Sequence, residues 1–336
     1  MFKRISVASV IVTVGLLAIP ASAASFSIEE PLDTPGPLNS SWVVSGRNFT
    51  PNVVTNAGDT PENALRLTEA SNDQSGFVLY DTAIPTSRGI DITFHQAQWG
   101  GNGADGIVFF VKDAANTSNL PGAAGGGMGY SPSDPTEGLP GALLGIGLDA
   151  YGSFGNTGGS GCDSTYSGTS GTGNKNAVTL RGPGNGLVGY CLLADSYILT
   201  DNGNDPLINS YASRQEADRK VRVVIDAATK TDPKVTLYYQ DQQIIQVALP
   251  EAFNSVDNVK VGFSSGTGGL NNNHEVWGLT SQEAEPVVDE EETTDTGEEE
   301  QLANTGLDDN ALWFGAALSL MLIALGGIAI RRSKRS

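Results

Sequence analysis

Residues 107–111 read Ile-Val-Phe-Phe-Val, an unbroken run of β-branched and aromatic side chains. A run of this kind has no polar face, so it reads as a strand buried on both sides. The stretch before it, Trp99 to Asp105, is rich in glycine and needs backbone freedom that only glycine supplies cheaply. Asp105 therefore sits at the mouth of a core strand, where a short carboxylate can face outward while the strand holds it rigidly. The plainer alternative is a solvated turn aspartate ahead of a core strand.

The other apolar segments are short and alternate. Gly89 to Phe94 has the period of a half-buried strand and feeds the Trp99–Asp113 stretch, so the two are expected to form an antiparallel pair. Ser25–Ile28, Trp42–Val44, Leu65–Leu67 and Gly76–Tyr80 read as further strands ahead of it. Leu143 to Leu148 forms a core strand ending at Asp149, and Ala177–Leu180 and Gly189–Leu193 continue the sheet. Val221, Val223 and Ile225 share one face, as do Val235, Leu237 and Tyr239. Ile244–Leu249, Val259–Phe263 and Val276–Leu279 close the set. Short strands at this spacing, divided by Gly, Pro, Asn and Asp, predict an all-β fold, an antiparallel β-sandwich. The 42 glycines are loop glycines with no fixed-period repeat, and 336 residues suffice for one such sandwich with long loops.

The formal charge is −19, with no basic stripe, which excludes nucleic acid as a partner. Residues 1–24 have a basic start, an apolar core and a small-x-small end at Ala21-Ser22-Ala23, the pattern of a secretory signal peptide cut after Ala23 or Ala24. Residues 25–282 hold the strands. Residues 283–301 are acidic and Thr-rich without an aromatic residue, a composition expected to give a disordered stalk. Residues 307–336 include an apolar span, Ala311–Ile330, long enough to cross a bilayer as a transmembrane helix, and end in Arg331, Arg332, Lys334 and Arg335. Ahead of the span, residues 302–306 read Leu-Ala-Asn-Thr-Gly. Motif, span and basic tail in this order resemble a sortase sorting signal of the LAxTG form found in high-GC Gram-positive bacteria. The resemblance implies cleavage between Thr305 and Gly306 and transfer to peptidoglycan, with sortase as a partner and a secreted, cell-wall-attached product. The alternative is a single-span membrane protein.

Two cysteines, Cys162 and Cys191, are most simply a disulfide in an exported chain. Closing a loop of that size contributes about 3–4 kcal/mol in the loop-entropy model. His95 and His274 are the only histidines, too few to support a metal pair or an activated thiol.

Four segments resemble the legume-type (L-type) lectins and their bacterial lectin-like relatives. Ala104-Asp105-Gly106 with Phe109-Phe110 is similar to the family's ADG-x-x-F-F segment, and Gly125–Tyr130 to its GG-x-L-G-L loop. Leu148-Asp149-Ala150-Tyr151 resembles the strand end carrying its metal loop. Val261–Gly269 with His274–Trp277 resembles its VGFSAATG…H-D-V-L-S-W ending. The four occur in the family's order over roughly Ser25 to Thr280. They imply the concanavalin A-like jelly roll form of the sandwich, a cis Ala104–Asp105 peptide and a glycan ligand. In that setting Asp105 accepts hydrogen bonds from adjacent sugar hydroxyls, and such charge-assisted bonds are the strong ones. A backbone N–H in the glycine loop, at Gly126, donates, and an Asn such as Asn156 does both. An aromatic ring covers the apolar sugar face. Trp99, Tyr130, Tyr151 and Phe154 are the rings available.

The metal loop departs from the family. Its acid-x-Asp-x-aromatic-x-Asn pattern falls on Gly147, Asp149, Tyr151 and Ser153, so the first acid is missing and Ser replaces Asn. Asn156 and Asp163 are displaced substitutes. The resemblance thus implies calcium on Asp149, Tyr151, Asn156 and Asp163, with the transition-metal half lost. His274 is given no chemistry.

Three functions follow as expectations. The first is a cell-wall-anchored carbohydrate-binding surface protein acting as an adhesin or in glycan capture. The second is a structural surface protein whose lectin-like site is degenerate. The third is a glycoside hydrolase on the same sandwich, which needs two carboxyls about 5–5.5 Å apart in a retaining mechanism. No single strand carries acids two or four apart, so the expectation is that this chain is not an enzyme.

Overall fold

Phe94 meets both Phe109 and Phe263, at ring-centroid distances of 5.9 and 4.8 Å, and these contacts join two antiparallel sheets. The computed structural model describes residues 26–156, 158–162, 176–197, 207 and 211–284. The expected signal peptide (1–24), all but residues 283 and 284 of the expected stalk (283–301), the expected sorting motif and the expected hydrophobic span lie outside the described residues.

The strands, in chain order, are β1 (Ser27–Glu30), β2 (Trp42–Arg47), β3 (Asn52–Thr55), β4 (Asn63–Thr68), β5 (Ser75–Tyr80) and β6 (Ile84–Pro85). Next come β7 (Ile90–Trp99), β8 (Gly106–Asp113), β9 (Ala142–Asp149), β10 (Ala177–Arg181), β11 (Gly184–Asn185) and β12 (Val188–Gly189). The last are β13 (Leu192–Tyr197), β14 (Arg219–Ile225), β15 (Lys234–Tyr239), β16 (Gln242–Ala248), β17 (Asn258–Gly266) and β18 (Asn273–Gln282). Sheet I runs β16-β15-β14-β7-β18-β4-β3, with β1 beside β18. Sheet II runs β12-β11-β9-β8-β17-β5-β2, with β10, β13 and β6 attached.

One expected pairing is overturned. Residues 89–94 do not pair with the 107–111 run. The half-buried strand continues to Trp99 as β7 in sheet I, between β14 and β18, while β8 lies in sheet II between β17 and β9. Residues 100–105 carry the chain from one sheet to the other. Gly100 and Gly103 have φ of +74° and +104°, and at Gly101 a Cβ would lie 2.2 Å from the Asn271 carbonyl oxygen. Only glycine fits a crossing this tight. The alternating pattern reports which faces of a strand are covered, not which sheet it joins.

The run 107–111 is buried on both faces, as its composition requires. Ile107, Phe109 and Val111 point between the sheets, together with Leu144, Ile146, Leu148, Val261 and Phe263. Val108 and Phe110 point to the other side of sheet II, into a second core with Phe77, Met128, Tyr130, Phe154 and Tyr190. Loops supply that outer layer, and strand glycines make room for it. Tyr130 sits over Gly145 and Phe154 over Gly147, where a Cβ would come within 2.7 and 2.3 Å of the rings. Tyr130 and Tyr190 meet edge to face, and their hydroxyls donate to the Gly182 and Leu139 carbonyls at 2.8 and 3.0 Å. The Cys162–Cys191 disulfide is formed.

His274, at the start of β18, is wholly buried, with Nδ1 2.6 Å from the Thr68 hydroxyl. Burial pushes the imidazole down to about 3. The unfolded chain takes up this proton below about pH 6.5 while the folded chain stays neutral to about pH 3, so stability is lost as pH falls through that window. In urea titrations at pH 7.5, 6 and 5, the advantage of the wild type over His274→Gln should shrink with acidity, by up to about 1.4 kcal/mol per pH unit. A gap independent of pH would contradict the assignment.

Candidate functional site

Three strand ends meet at Asp105. In-register pairing places Gly106 of β8 opposite Asp149 of β9 and Gly266 of β17. The Ala104–Asp105 peptide is cis, the geometry the resemblance implies. Around it the backbone is bonded to both neighbouring loops. The Asp105 N–H donates to the Gly266 carbonyl at 3.1 Å, and its own carbonyl accepts from Ala150 and Tyr151 at 3.0 and 3.2 Å. The fourth wall is a short 3-10 turn, Gly125–Gly127, whose first N–H donates to the Thr267 carbonyl at 3.1 Å. Gly126 is the middle residue of that turn, half-buried.

The Asp105 carboxyl lies beneath two glycines. A Cβ at Gly268 would be 3.4 Å from its Oδ2 and one at Gly125 would be 3.9 Å away. The residue is 5% exposed, and among the described residues Oδ2 is the one buried carboxylate oxygen that accepts no hydrogen bond of normal geometry; the Gly268 N–H close by donates to the Leu270 carbonyl at 3.0 Å. Burial pushes this carboxyl up to about 7. The charge of Asp149 adds to the rise, and the Gly268 amide opposes it. An orphan acceptor at that depth costs free energy unless something outside the chain satisfies it.

Asp149 is therefore an acidic neighbour of Asp105, although no single strand carries acids two or four apart. The search along single strands missed it because the pair forms across β8 and β9. Yet Asp149 is already used. Its Oδ1 accepts from Gly152 at 2.7 Å and its Oδ2 from Phe154 at 2.8 Å, closing the loop that follows β9. Burial raises it to about 6 against the pull of the loop amides. A carboxylate buried with both oxygens on backbone amides is not placed to attack or deprotonate a ligand.

Of the four aromatic rings, three serve elsewhere. Trp99 ends β7, and its indole N–H donates to Glu275 at 2.7 Å. Tyr130 and Phe154 are fully buried in the second core. Tyr151 is 37% exposed and adjoins the site through its N–H on the Asp105 carbonyl. Asn156 is exposed on the same loop, its N–H on the Ser153 carbonyl at 2.9 Å and its side-chain amide 3.5 Å from the Gly152 carbonyl. Nothing in its bonding joins it to Asp105. His274 is structural, as described above.

Of the residues assigned to calcium, Asp149 is already engaged by its own loop. Both Asp149 oxygens are held by amides. Gly147 takes the place of the family's first acid, and the Phe154 ring covers it. Tyr151 and Asn156 donate N–H groups within the site and the loop as described, and Asp163 lies outside the described residues. Among the described residues, no three His, Cys, Asp or Glu side chains converge. What lies beside Asp149 is a cation of the chain itself, Arg181 at the end of β10. Sequence reading passed over Arg181 as the polar end of the apolar stretch Ala177–Leu180. A buried charge in a strand that alternates with glycines on its neighbour was the available signal.

No family model and no curated protein matches the sequence. Solved structures do. The VIP36 exoplasmic/lumenal domain, in its Ca2+/Man-bound form, is 14% identical over 77% of this chain and 90% of its own, with a TM-score of 0.46. Peanut lectin with a 9mer peptide is 20% identical over 77% and 98%, at 0.47. Lotus tetragonolobus seed lectin is 16% identical over 78% and 100%, at 0.49.

Proposed function

We propose that this chain is a carbohydrate-binding protein that takes a terminal sugar at Asp105. One observation carries the reading: the buried Oδ2 of Asp105, without a partner, under a lid of glycine. Adjacent sugar hydroxyls are donors small enough to enter where no side chain stands, and their hydrogen bonds favour the ionised form of a carboxyl that burial alone leaves about half protonated at neutral pH. The exposed Tyr151 ring is the apolar surface next to it, suited to the C–H face of a pyranose. The ordered lectin-like segments support the same ligand class. A hydrolase is disfavoured because Asp149, the second carboxyl a retaining reaction needs, spends both oxygens on its own loop.

We place this binding protein on the cell wall, from the signal-peptide pattern at residues 1–24 and the Leu302–Gly306 motif ahead of an apolar span and basic tail. Exposed there on an acidic stalk, it would serve as an adhesin or in glycan capture. The sugar and the biological target follow from loop shape and are left to experiment.

Full-length protein in detergent, applied to a glycan array, should bind a restricted set of sugars. Asp105→Asn should weaken that binding by about 100-fold or more while far-UV circular dichroism stays native. Undiminished binding by the folded variant would remove this site. In the producing cell, Thr305→Ala should move the protein from the fraction released by peptidoglycan digestion to the membrane fraction. An unchanged distribution would refute wall attachment through this motif.

A further inference from the structure

Arg181 is the side chain that the glycan reading leaves without a role. It ends β10, opposite Gly145 of β9, and is 2% exposed. Its Nε donates to the Phe154 carbonyl at 2.6 Å and its Nη1 to the Tyr190 carbonyl at 2.7 Å. The guanidinium also lies over the Phe154 ring, 5.2 Å from its centroid. It thus ties the loop after β9 to the segment before β13. The disulfide fastens that same segment, since Cys191 follows Tyr190, and the Cys191 carbonyl accepts from Gly182 at 2.8 Å.

The charge on Arg181 survives burial. Desolvation lowers it to about 10, and the nearby Asp149 carboxylate opposes that fall, so the group is a cation at neutral pH. A buried carboxylate is tolerable only when paired or richly hydrogen-bonded. Asp149 has the hydrogen bonds, with a loop amide on each of its oxygens.

We propose that Arg181 does in this chain what a bound divalent cation does in the lectins it resembles: it braces the loop after Asp149, so that the Asp105 site forms without a metal ion. Three arrangements converge on this. The acid of the transition-metal half is replaced by Gly147, and the Phe154 ring fills the space it leaves. The Asp149 oxygens bond to amides of their own loop. The Arg181 guanidinium, bonded to the Phe154 carbonyl of that same loop, brings a fixed positive charge to it. Phe154 is held at both ends of the argument, with its ring on Gly147 and its carbonyl on Arg181. Loop, ring and guanidinium therefore form one unit.

The test needs no sugar, so it fails or succeeds independently of the glycan reading. Full-length protein in detergent is melted by tryptophan fluorescence in a chelator alone and in excess calcium chloride. The expected midpoints agree within about 1 °C, because an ion that does not bind the folded state cannot stabilise it. A rise of roughly 5 °C or more in calcium would overturn the proposal. Arg181→Met should melt lower than wild type in both buffers, with no recovery in calcium. Wild-type melting by that variant, or its rescue by calcium, would also overturn it. If Arg181→Met does not fold, the wild-type comparison decides alone.

Discussion

The peptide groups flanking Asp105 are the joint on which the site depends. One N–H and one carbonyl reach both neighbouring loops, to Gly266 on one side and to Ala150 and Tyr151 on the other. These bonds make three loops from distant parts of the sequence into one rim. They also aim the Asp105 side chain under Gly125 and Gly268 while its backbone is fully employed. A loop that had to be ordered by its ligand would lose affinity to that ordering. Here the ordering comes from main-chain bonds already made.

Below the rim, rigidity comes from sheet II being covered twice. Its inner face packs on sheet I. Its outer face holds a second core in which loop aromatics settle onto strand glycines. The continuous apolar run of β8 is the sequence trace of this arrangement, because only a strand with a core on each side can bury Val108 and Phe110 as well as Ile107 and Phe109. The Tyr130 and Tyr190 hydroxyls enter that core with their partners supplied by loop carbonyls, which is the condition for burying them. The loop after β9 is thus packed from beneath by Phe154 and held from the side by Arg181. Its polar bonds and its apolar contacts fix the same conformation.

Much of this was legible in the sequence, and the misses have physical causes. β14 shows clear alternation, with Val221, Val223 and Ile225 on its buried face, and alternation is what half-buried strands impose on composition. Asp105 could be singled out because a rigid strand follows it and glycine precedes it. The partnership of β7 was misread, since period-2 patterning carries no information about sheet membership. The two-residue strands β6, β11 and β12 and the short β3 are too brief to show a pattern. Asp149 beside Asp105 was missed for a related reason: the pair is made by register across two strands, not by spacing within one. The choice among four aromatic rings needed the structure, because burial of Tyr130 and Phe154 depends on glycines that face them from another segment. Arg181 was hidden by its length: its backbone pairs with Gly145, yet its guanidinium bonds the Phe154 carbonyl in the loop after β9, nine residues farther along the chain.

The account stands on the orphan oxygen of Asp105 being the point where a sugar is held. The most direct test is a crystal structure of the protein with the best sugar from the array. The account predicts sugar hydroxyl oxygens about 2.5–2.8 Å from Asp105 Oδ2, with the pyranose ring against Tyr151. A sugar seated elsewhere, with Oδ2 still unpartnered beneath Gly125 and Gly268, would contradict it.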